Sequence, residues 1–440
     1  MSKEMTVVVI GGGAAGVSAA ISIARTNVRV LLVEQRDRLG GAIHRQPASK
    51  TTPPVTRAKG HVQAWAGLMK ELSSCKERIT VATSTVFSGI DGNGFVLLDN
   101  RRSGELVAIR PEGMILALGA TEVVHPFPGW ELPGVFSAGG VQVLLKETGR
   151  PLKGTTLLAG SGPLLLALGA QLCAAGGPPL AILERGEPFK RPTASVKLLS
   201  SLPRLFEGAG YMLRLASANV PYRSGAQIIS AKSDKRGFLV EVLQRGQHST
   251  YQVDNLVVHD GLRAGHLAVD LSSLPFPTVE AGDGREILGA HCAMADGRLA
   301  AAKLLSRLGL ATASAAADEQ TVRAARRFQS QLGVLFYKPP PPIQSETIVC
   351  RCEGRRASSL PKGVTAREAK LVGRFGMGAC QGRFCADATA RALGEGAVSC
   401  EFRPAVMRWP IRPLAAASIA RLRFVSANFN EIWNDDTTFA

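Results

Sequence analysis

A chain of 440 residues exceeds one core at roughly 100–200 residues per domain, so two to four domains are expected. Hydrophobic residues at 45%, charged residues at 20% and a mean hydropathy of +0.10 exclude disorder, collagen and a coiled coil. Fifty-two Lys and Arg against 35 Asp and Glu leave +17 and a pI near 9.9, which draws anions such as nucleotide phosphates, acidic subunits or nucleic acid. The elements begin at once: Met1–Met5 runs straight into the strand Thr6–Ile10, leaving no room for a signal peptide. A glycine cluster, Gly11 to Gly16, follows, then a helix of small residues to about Arg25 and a strand Val28–Val33 closed by Glu34. The second half repeats this: Thr155–Ala159, then Gly160-Ser161-Gly162, a helix Leu164–Ala175, and Leu180–Leu183 closed by Glu184. Each βαβ unit precedes an all-β stretch, Gly94 to Gly119 in one copy and Gly237 to Gly261 in the other. Two copies of one nucleotide-binding unit are expected. That reading also explains the uncharged segment Gly154–Leu183, whose six glycines and Pro-Pro pair suit a buried strand and helix better than a membrane span.

Further along, Ala281-Gly282-Asp283-Gly284 precedes an amphipathic helix from about Gly289 to Leu308. Ala311–Ala317 and Lys338-Pro339-Pro340-Pro341-Pro342 read as linkers around a basic helix carrying Arg323, Arg326 and Arg327. A cysteine-bearing segment and a Pro/Arg-rich tail end the chain. The expected domains are 1–120 with 270–310, 121–269, a linker and helix at 311–344, a cysteine domain at 345–395, and a tail at 396–440.

Gly11-x-Gly13-x-x-Gly16 carries the first chemistry. Gly11 permits the tight turn, Gly13 lets backbone approach a pyrophosphate, and Gly16 lets helix and strand pack closely. The helix amides at Ala14 and Ala15 meet phosphate charge, and Glu34 accepts hydrogen bonds from a ribose diol. Gly40-Gly41 adds a second close-approach backbone, and Asp283 of Gly282-Asp283 suits the ribityl or pyrophosphate end of FAD. At the second site Gly160 and Gly162 hold the first two glycine positions and Glu184 the acceptor position. Leu165 at the third position is expected to push the helix off the strand. NAD(H), another adenine nucleotide and no ligand all stay open there.

Cys350-x-Cys352 and Cys380-x4-Cys385 give four thiolates in two close pairs, a pattern that suits a [2Fe-2S] cluster, structural zinc or redox thiols. Gly376, Gly378 and Gly382 crowd the second pair and offer amides to sulfur. Arg351 and Arg383, beside the ligands, are expected to favour a reduced, more negative cluster. Cys75, Cys173, Cys292 and Cys400 read as small apolar residues. His44, His61, His125, His248, His259, His266 and His291 are scattered and form no acid–base constellation. No stretch interleaves basic with aromatic residues, so nucleic acid is not an expected partner.

Over nearly the whole chain to about residue 415, these motifs resemble the larger flavin subunit shared by opine oxidases, hydrogen cyanide synthase and the related hydroxyproline dehydrogenases. The resemblance rests on the first glycine motif, Gly40-Gly41 with Arg45-Gln46-Pro47, and Pro128-Gly129-Trp130-Glu131-Leu132-Pro133-Gly134-Val135. It continues in Gly160-Ser161-Gly162-Pro163-Leu164-Leu165, Val257-Val258-His259-Asp260-Gly261, Gly282-Asp283-Gly284 and Ala295-Asp296-Gly297-Arg298. Most specific are Cys350-Arg351-Cys352-Glu353 and the run Gly376-Met377-Gly378-Ala379-Cys380-Gln381-Gly382-Arg383-Phe384-Cys385. It implies an α/β, two-dinucleotide-binding, disulfide-reductase-like flavoprotein fold with a small C-terminal [2Fe-2S] domain like bacterioferritin-associated ferredoxin. It also implies FAD at the first site, with Gly119 among the cofactor-binding residues although Ala117-Leu118-Gly119 stands where Ala-Thr-Gly is usual. Arg285-Glu286 in place of small residues, and a short Arg263–Pro277, are expected to loosen the nucleotide sites.

The function implied is the electron-transfer subunit of a heteromeric dehydrogenase or oxidase acting on the C–N bond of an opine, imino acid or amino acid. Its partners would be a small [2Fe-2S] subunit together with an FAD-containing amine-oxidising subunit. The complex would be cytoplasmic or peripheral to the inner membrane through those partners, with no transmembrane segment in this chain. Two alternatives stay open: a self-sufficient NAD(P)H-dependent flavin reductase, and a structural subunit with vacant nucleotide sites and zinc.

Overall fold

The computed structural model describes residues 5–52, 55, 59–191, 202–235, 237–265, 271–312, 314–361, 363–378, 380, 382, 384–394, 419–425, 432 and 433. His266, Ala379, Gln381, Arg383 and Cys400 lie outside the described residues.

β1 (Thr6–Ile10) is buried along its whole length, as a parallel strand covered on both faces must be. The alanine-rich α1 (Ala14–Ala24) lies close on it, and β2 (Arg29–Val33) pairs with β1 in parallel. After α2 (Lys59–Ser74), β3 (Ile79–Ala82) extends the same sheet beside β2. An antiparallel insert of β4 (Thr85–Ile90), β5 (Val96–Asn100) and β6 (Glu105–Ile109) follows, and β7 (Gly113–Leu116) returns beside β1. The chain leaves through β8 (Ala120–Glu122).

The second unit opens with β9 (Val135–Ser137) and α3 (Ala138–Thr148), which Ser137 caps through Gly140 N. β10 (Thr156–Gly160), α4 (Pro163–Ala174) and β11 (Ala181–Glu184) repeat the βαβ unit. α5 (Leu202–Ser217) and β12 (Tyr222–Ser224) complete that edge. β13 (Ala226–Asp234), β14 (Gly237–Gln244) and β15 (Gln247–Val253) form its antiparallel insert, and β16 (Asn255–His259) returns beside β10. β17 (Leu262–Ala264) pairs antiparallel with β8, so the outgoing and returning chains run side by side. β18 (Thr278–Glu280) then joins the first sheet at β7. The orders β18-β7-β1-β2-β3 and β9-β16-β10-β11-β12 share one βαβ arrangement, the outer strand arriving last in the first sheet and first in the second. The uncharged segment is β10, α4 and the start of β11, and no described helix is long and apolar enough to cross a membrane.

α6 (Ala290–Arg307) crosses α1 backbone to backbone, because a Cβ on Gly297 would stand 2.2 Å from the Ala15 carbonyl oxygen. α7 (Ala316–Phe336) begins inside the stretch read as a linker. Asp318 and Glu319 in its first turn favour that end of the helix dipole, and Arg298 of α6 binds Asp318 through two nitrogens. Beyond the prolines, β19 (Ile348–Cys350), β20 (Arg355–Arg356), α8 (Ala366–Leu371) and α9 (Ala386–Leu393) surround Phe375, which is wholly buried. This small unit docks on the second one: Trp130 donates its indole N–H to Ile348 O at 2.5 Å, and Arg263 pairs with Asp387 at 2.8 Å.

The end of the chain, read from sequence as a tail, returns to the first unit. β21 (Leu422–Val425) adds in parallel to β6, giving the order β21-β6-β5-β4, and so covers an otherwise open strand edge. Trp433 is buried in the core under that sheet and donates to Thr85 Oγ1 at 3.1 Å. Replacing Trp433 with alanine is expected to cost about 3–5 kcal/mol, the usual range for a buried Trp. Thermal unfolding should show the first unit melting earlier, and an unchanged melting curve would mean that the chain end is a passenger.

Candidate functional site

The first glycine turn contains two kinds of glycine. Gly11 (φ +110°) and Gly16 serve packing: a Cβ would stand 2.2 Å from Ala117 O on the former and 1.8 Å from Gly11 O on the latter. Gly13 has an ordinary φ of −81°, and a Cβ there would meet nothing nearer than Gly41 Cα at 3.8 Å. It therefore keeps open a groove between itself and Gly41. Gly40 N donates to Gly12 O at 2.9 Å and fixes that second wall. α1 has no side-chain cap, so its first-turn amides, Ala14 and Ala15 among them, face the groove as unpaired donors at the positive end of the dipole.

Glu34 closes β2 and is buried. Its Oε2 accepts from Gly12 N and its Oε1 from Arg36 N, both at 2.9 Å. Burial pushes its carboxyl above the usual range, opposed by those amides and by the Arg45 and Arg36 guanidiniums. Each oxygen keeps a second acceptor position for a diol. On the far side, Asp283 Oδ1 accepts from Leu288 N at 3.0 Å and Gly289 N at 3.2 Å, and burial raises its carboxyl too. Gly119 lies against this turn, since a Cβ on Gly284 would stand 3.3 Å from Gly119 N. Gly282 N donates to Asp296 Oδ2 at 2.6 Å. Arg285 and Glu286 do not loosen the turn. Arg285 pairs with Asp296, and Glu286 takes two bonds from Arg326 at 2.8 and 2.7 Å, tying the turn to α6 and α7. Gly11, Gly13, Ala14, Ala15, Gly16, Glu34, Gly40, Gly41, Gly119, Gly282 and Asp283 thus share one region.

Gly160, Gly162 and Glu184 also meet. Glu184 Oε2 accepts from Gly162 N at 3.0 Å and Oε1 from Gly186 N at 2.7 Å, the same pattern as Glu34. Glu184, however, is 0% exposed, and burial raises its carboxyl. Leu165 does not displace the helix. It is buried with Leu158, Leu168 and Val257, and the close approach moves to Gly169, where a Cβ would stand 2.7 Å from Ile182 Cδ1.

The four cysteines come together in the C-terminal unit. Cys350 ends β19 and Cys385 is the N-cap residue of α9, both buried, while Cys352 is exposed. Their thiols lie close enough to shift one another's protonation, Cys385 with Cys350 and Cys380, and Cys352 with Cys380 and Cys350. No three described His, Cys, Asp or Glu side chains already form the shell of a single ion. The hydrogen bond from the Cys385 thiol holds Cys350 down at about 6, helped by the amides of Gly376 (3.4 Å) and Glu353 and opposed by burial. The same thiol holds Cys380 down at about 4, with the amides of Phe384 and Gly382 adding to it. Cys385, lying beside both, is pushed up, and burial raises Cys352. Gly378 is needed for closeness, as a Cβ there would stand 2.3 Å from Cys352 Cβ. Arg351 does not serve the sulfurs. Its guanidinium lies 5.7 Å from the Trp130 ring centre and donates to Glu131 O, so it docks the unit instead.

Several polar residues matter that sequence reasoning passed over. Buried Lys146 donates to Ala42 O, Ile43 O and Gln142 Oε1, each at 3.1 Å, and holds the loop after Gly41. His44 is buried and stacks on Trp65 at 4.8 Å. His259 Nδ1 and Glu122 Oε1 lie 2.6 Å apart, and Glu122 Oε2 accepts from Gly139 N. A lysine inside an apolar helix turn was the one local signal among them. His125 joins two units, its backbone N donating to Asp260 Oδ2 and its Nδ1 accepting from Arg391 of α9 at 2.9 Å. Burial, helped by Arg185 and Arg391 and opposed by Asp260 and Asp387, pushes it down to about 4. The unfolded chain therefore takes up this proton first, and the stability His125 confers is full above its ordinary 6.5 and falls as the pH drops towards 4. Melting of the native protein is expected to show this loss over that interval, and a His125→Gln variant should show a smaller one. Identical pH profiles would contradict it.

Residues 5–276 match the family model described as pyridine nucleotide-disulphide oxidoreductase. The chain is 31% identical to hydrogen cyanide synthase subunit HcnB of Pseudomonas aeruginosa, over 94% of this chain and 98% of that one. It is 30% identical to an opine oxidase subunit of Agrobacterium tumefaciens, over 96% and 92% respectively. Both belong to the group that the sequence motifs resemble. Among solved structures, the L-proline dehydrogenase from P. horikoshii shares the fold, with a TM-score of 0.63 at 19% identity over 95% of this chain and 79% of that one.

Proposed function

Because the chain belongs to the pyridine nucleotide-disulphide oxidoreductase family, we propose that this oxidoreductase is an electron-transfer subunit holding FAD and a [2Fe-2S] cluster. It would work in a heteromeric dehydrogenase or oxidase that oxidises the C–N bond of an opine, imino acid or amino acid. The observation that carries this reading is the coexistence, in one chain, of an open glycine groove and a separate cluster of four thiols. The relatives named above are subunits, one of an opine oxidase and one of a hydrogen cyanide synthase, which supports a partner for this chain. That partner would be an FAD-containing amine-oxidising subunit, with a small [2Fe-2S] subunit beside it, in the cytoplasm.

The groove fits a dinucleotide because a Cβ at Gly13 or Gly41 would fill it. The amides of Gly13 to Gly16 would hold the pyrophosphate, Glu34 the ribose diol and Asp283 the ribityl end, with Gly40, Gly41 and Gly119 lining the walls. Four clustered cysteine thiols are the ligand set a two-iron cluster takes. Cys350, Cys352, Cys380 and Cys385 would be its ligands. The amides of Glu353, Gly376, Gly382 and Phe384 would offset its negative charge. When bound, these groups supply a two-electron acceptor and a one-electron carrier. The chain contributes orientation, charge compensation and the exclusion of water from Glu34 and Cys350, both buried.

Purified protein is expected to contain FAD, and iron and acid-labile sulfide in equal amounts. Stoichiometric zinc without iron would overturn the cluster and favour a structural subunit.

A further inference from the structure

The second glycine turn has the shape of a dinucleotide site but few free donors. Gly160 turns the chain as Gly11 does, and a Cβ there would stand 1.7 Å from His259 O. Ser161 N, however, donates to His259 O at 2.6 Å and Gly162 N to Glu184. Pro163, the first residue of α4, has no N–H to offer. The Ser161 hydroxyl donates to Phe336 O at 3.0 Å. Glu184, wholly buried, presents no surface to a ribose.

The chain itself covers this place. A Cβ on Gly186 would stand 2.8 Å from Phe336 O. Arg191 reaches Val334 O and, at 2.8 Å, Tyr337 O. Farther on, Arg391 of α9 donates to Pro341 O at 2.7 Å. The end of α7 and Tyr337 therefore lie across the carboxyl ends of β10 and β11, where open α/β sheets take their ligands, and the chain continues from there to Pro341.

We infer that the second nucleotide crevice is the seat of this chain's own segment 334–341, and that neither NAD(H) nor NADP(H) binds there. The strap's carbonyls engage the Ser161 hydroxyl and the Arg191 guanidinium, groups that could otherwise hold phosphate. Val334 to Phe336 are the last turn of α7, so the carbonyls that enter the crevice are fixed by the helix before docking, and little freedom is lost. A tethered occupant stands at an effective concentration of millimolar order, which a free dinucleotide must overcome. The strap also adds one contact to the docking of the cysteine unit, through Arg391 and Pro341 O.

The native lysines test this. Lys190, 2.6 Å from Glu187, lies on one side of the crevice, and Lys338 is close enough to act on Glu187 as well. Treating the full chain with a short bis-succinimidyl reagent should give a Lys190–Lys338 cross-linked peptide by mass spectrometry. Its yield should be unchanged by millimolar NADH or NADPH. Absence of the link, or its progressive loss as NADH is added, would overturn the inference. Flavin and iron content are measured separately, so failure of the cofactor assignments leaves this result readable.

Discussion

A Gly13→Val chain should fold and purify without flavin. Its backbone at that position suits any residue, and the nearest atom to an added Cβ is Gly41 Cα at 3.8 Å, so the new methyls enter the groove and not the core. They occupy the space in which a pyrophosphate would meet the amides of α1. A loss of about 100-fold or more in flavin affinity, roughly 2.7 kcal/mol, is expected. Gly16→Val makes the contrast. There a Cβ would stand 1.8 Å from Gly11 O, so helix and strand must separate and soluble protein should be lost. Flavin absorbance per chain, with circular dichroism for folding, separates the two. A yellow Gly13→Val protein with full flavin content would remove the groove as the site.

Replacing Cys380 with serine is expected to abolish iron binding and the reduced-state paramagnetic signal while flavin stays bound. Cys380 lies within the cysteine cluster, held by Cys385 and by the amides of Gly382 and Phe384. A serine hydroxyl in the same nest stays protonated and makes a poor iron ligand. The groove is built from residues of the first unit, so it should not register the change. Loss of flavin together with iron would show that the two sites depend on each other.

The first site was legible because strand, turn, helix, strand and acid are consecutive, and each has its own local periodicity or steric need. The cysteine pairs were legible by spacing. Contacts between distant segments were not. Ser161 and Phe336 are 175 residues apart, and Trp433 and Thr85 are 348 apart, so no local pattern announces either bond. Leu165 misled for a related reason. The steric argument was sound for a helix pressed on its strand, but in α4 the close approach had moved along to Gly169. Ala311–Ala317 was read as a linker because its alanines carry no amphipathic signal, yet α7 starts within it at Ala316, with Asp318 and Glu319 in its first turn.

The route of the chain through the first unit constrains its birth on the ribosome. Its sheets draw on β1 to β7, then on β18 after the whole second unit, and finally on β21 beside β6. At roughly 5–20 residues per second, about 20–80 s separate the synthesis of β1 from that of β21. During that interval the second unit can finish, while the unit begun first waits with β6 exposed along one edge. The part of the first unit that matures last is therefore the β4–β6 sheet, and not the glycine turns, whose last member, Asp283, is made well before Leu422. A chain stalled short of Leu422 presents the edge of β6 as an open strand to its neighbours on the polysome.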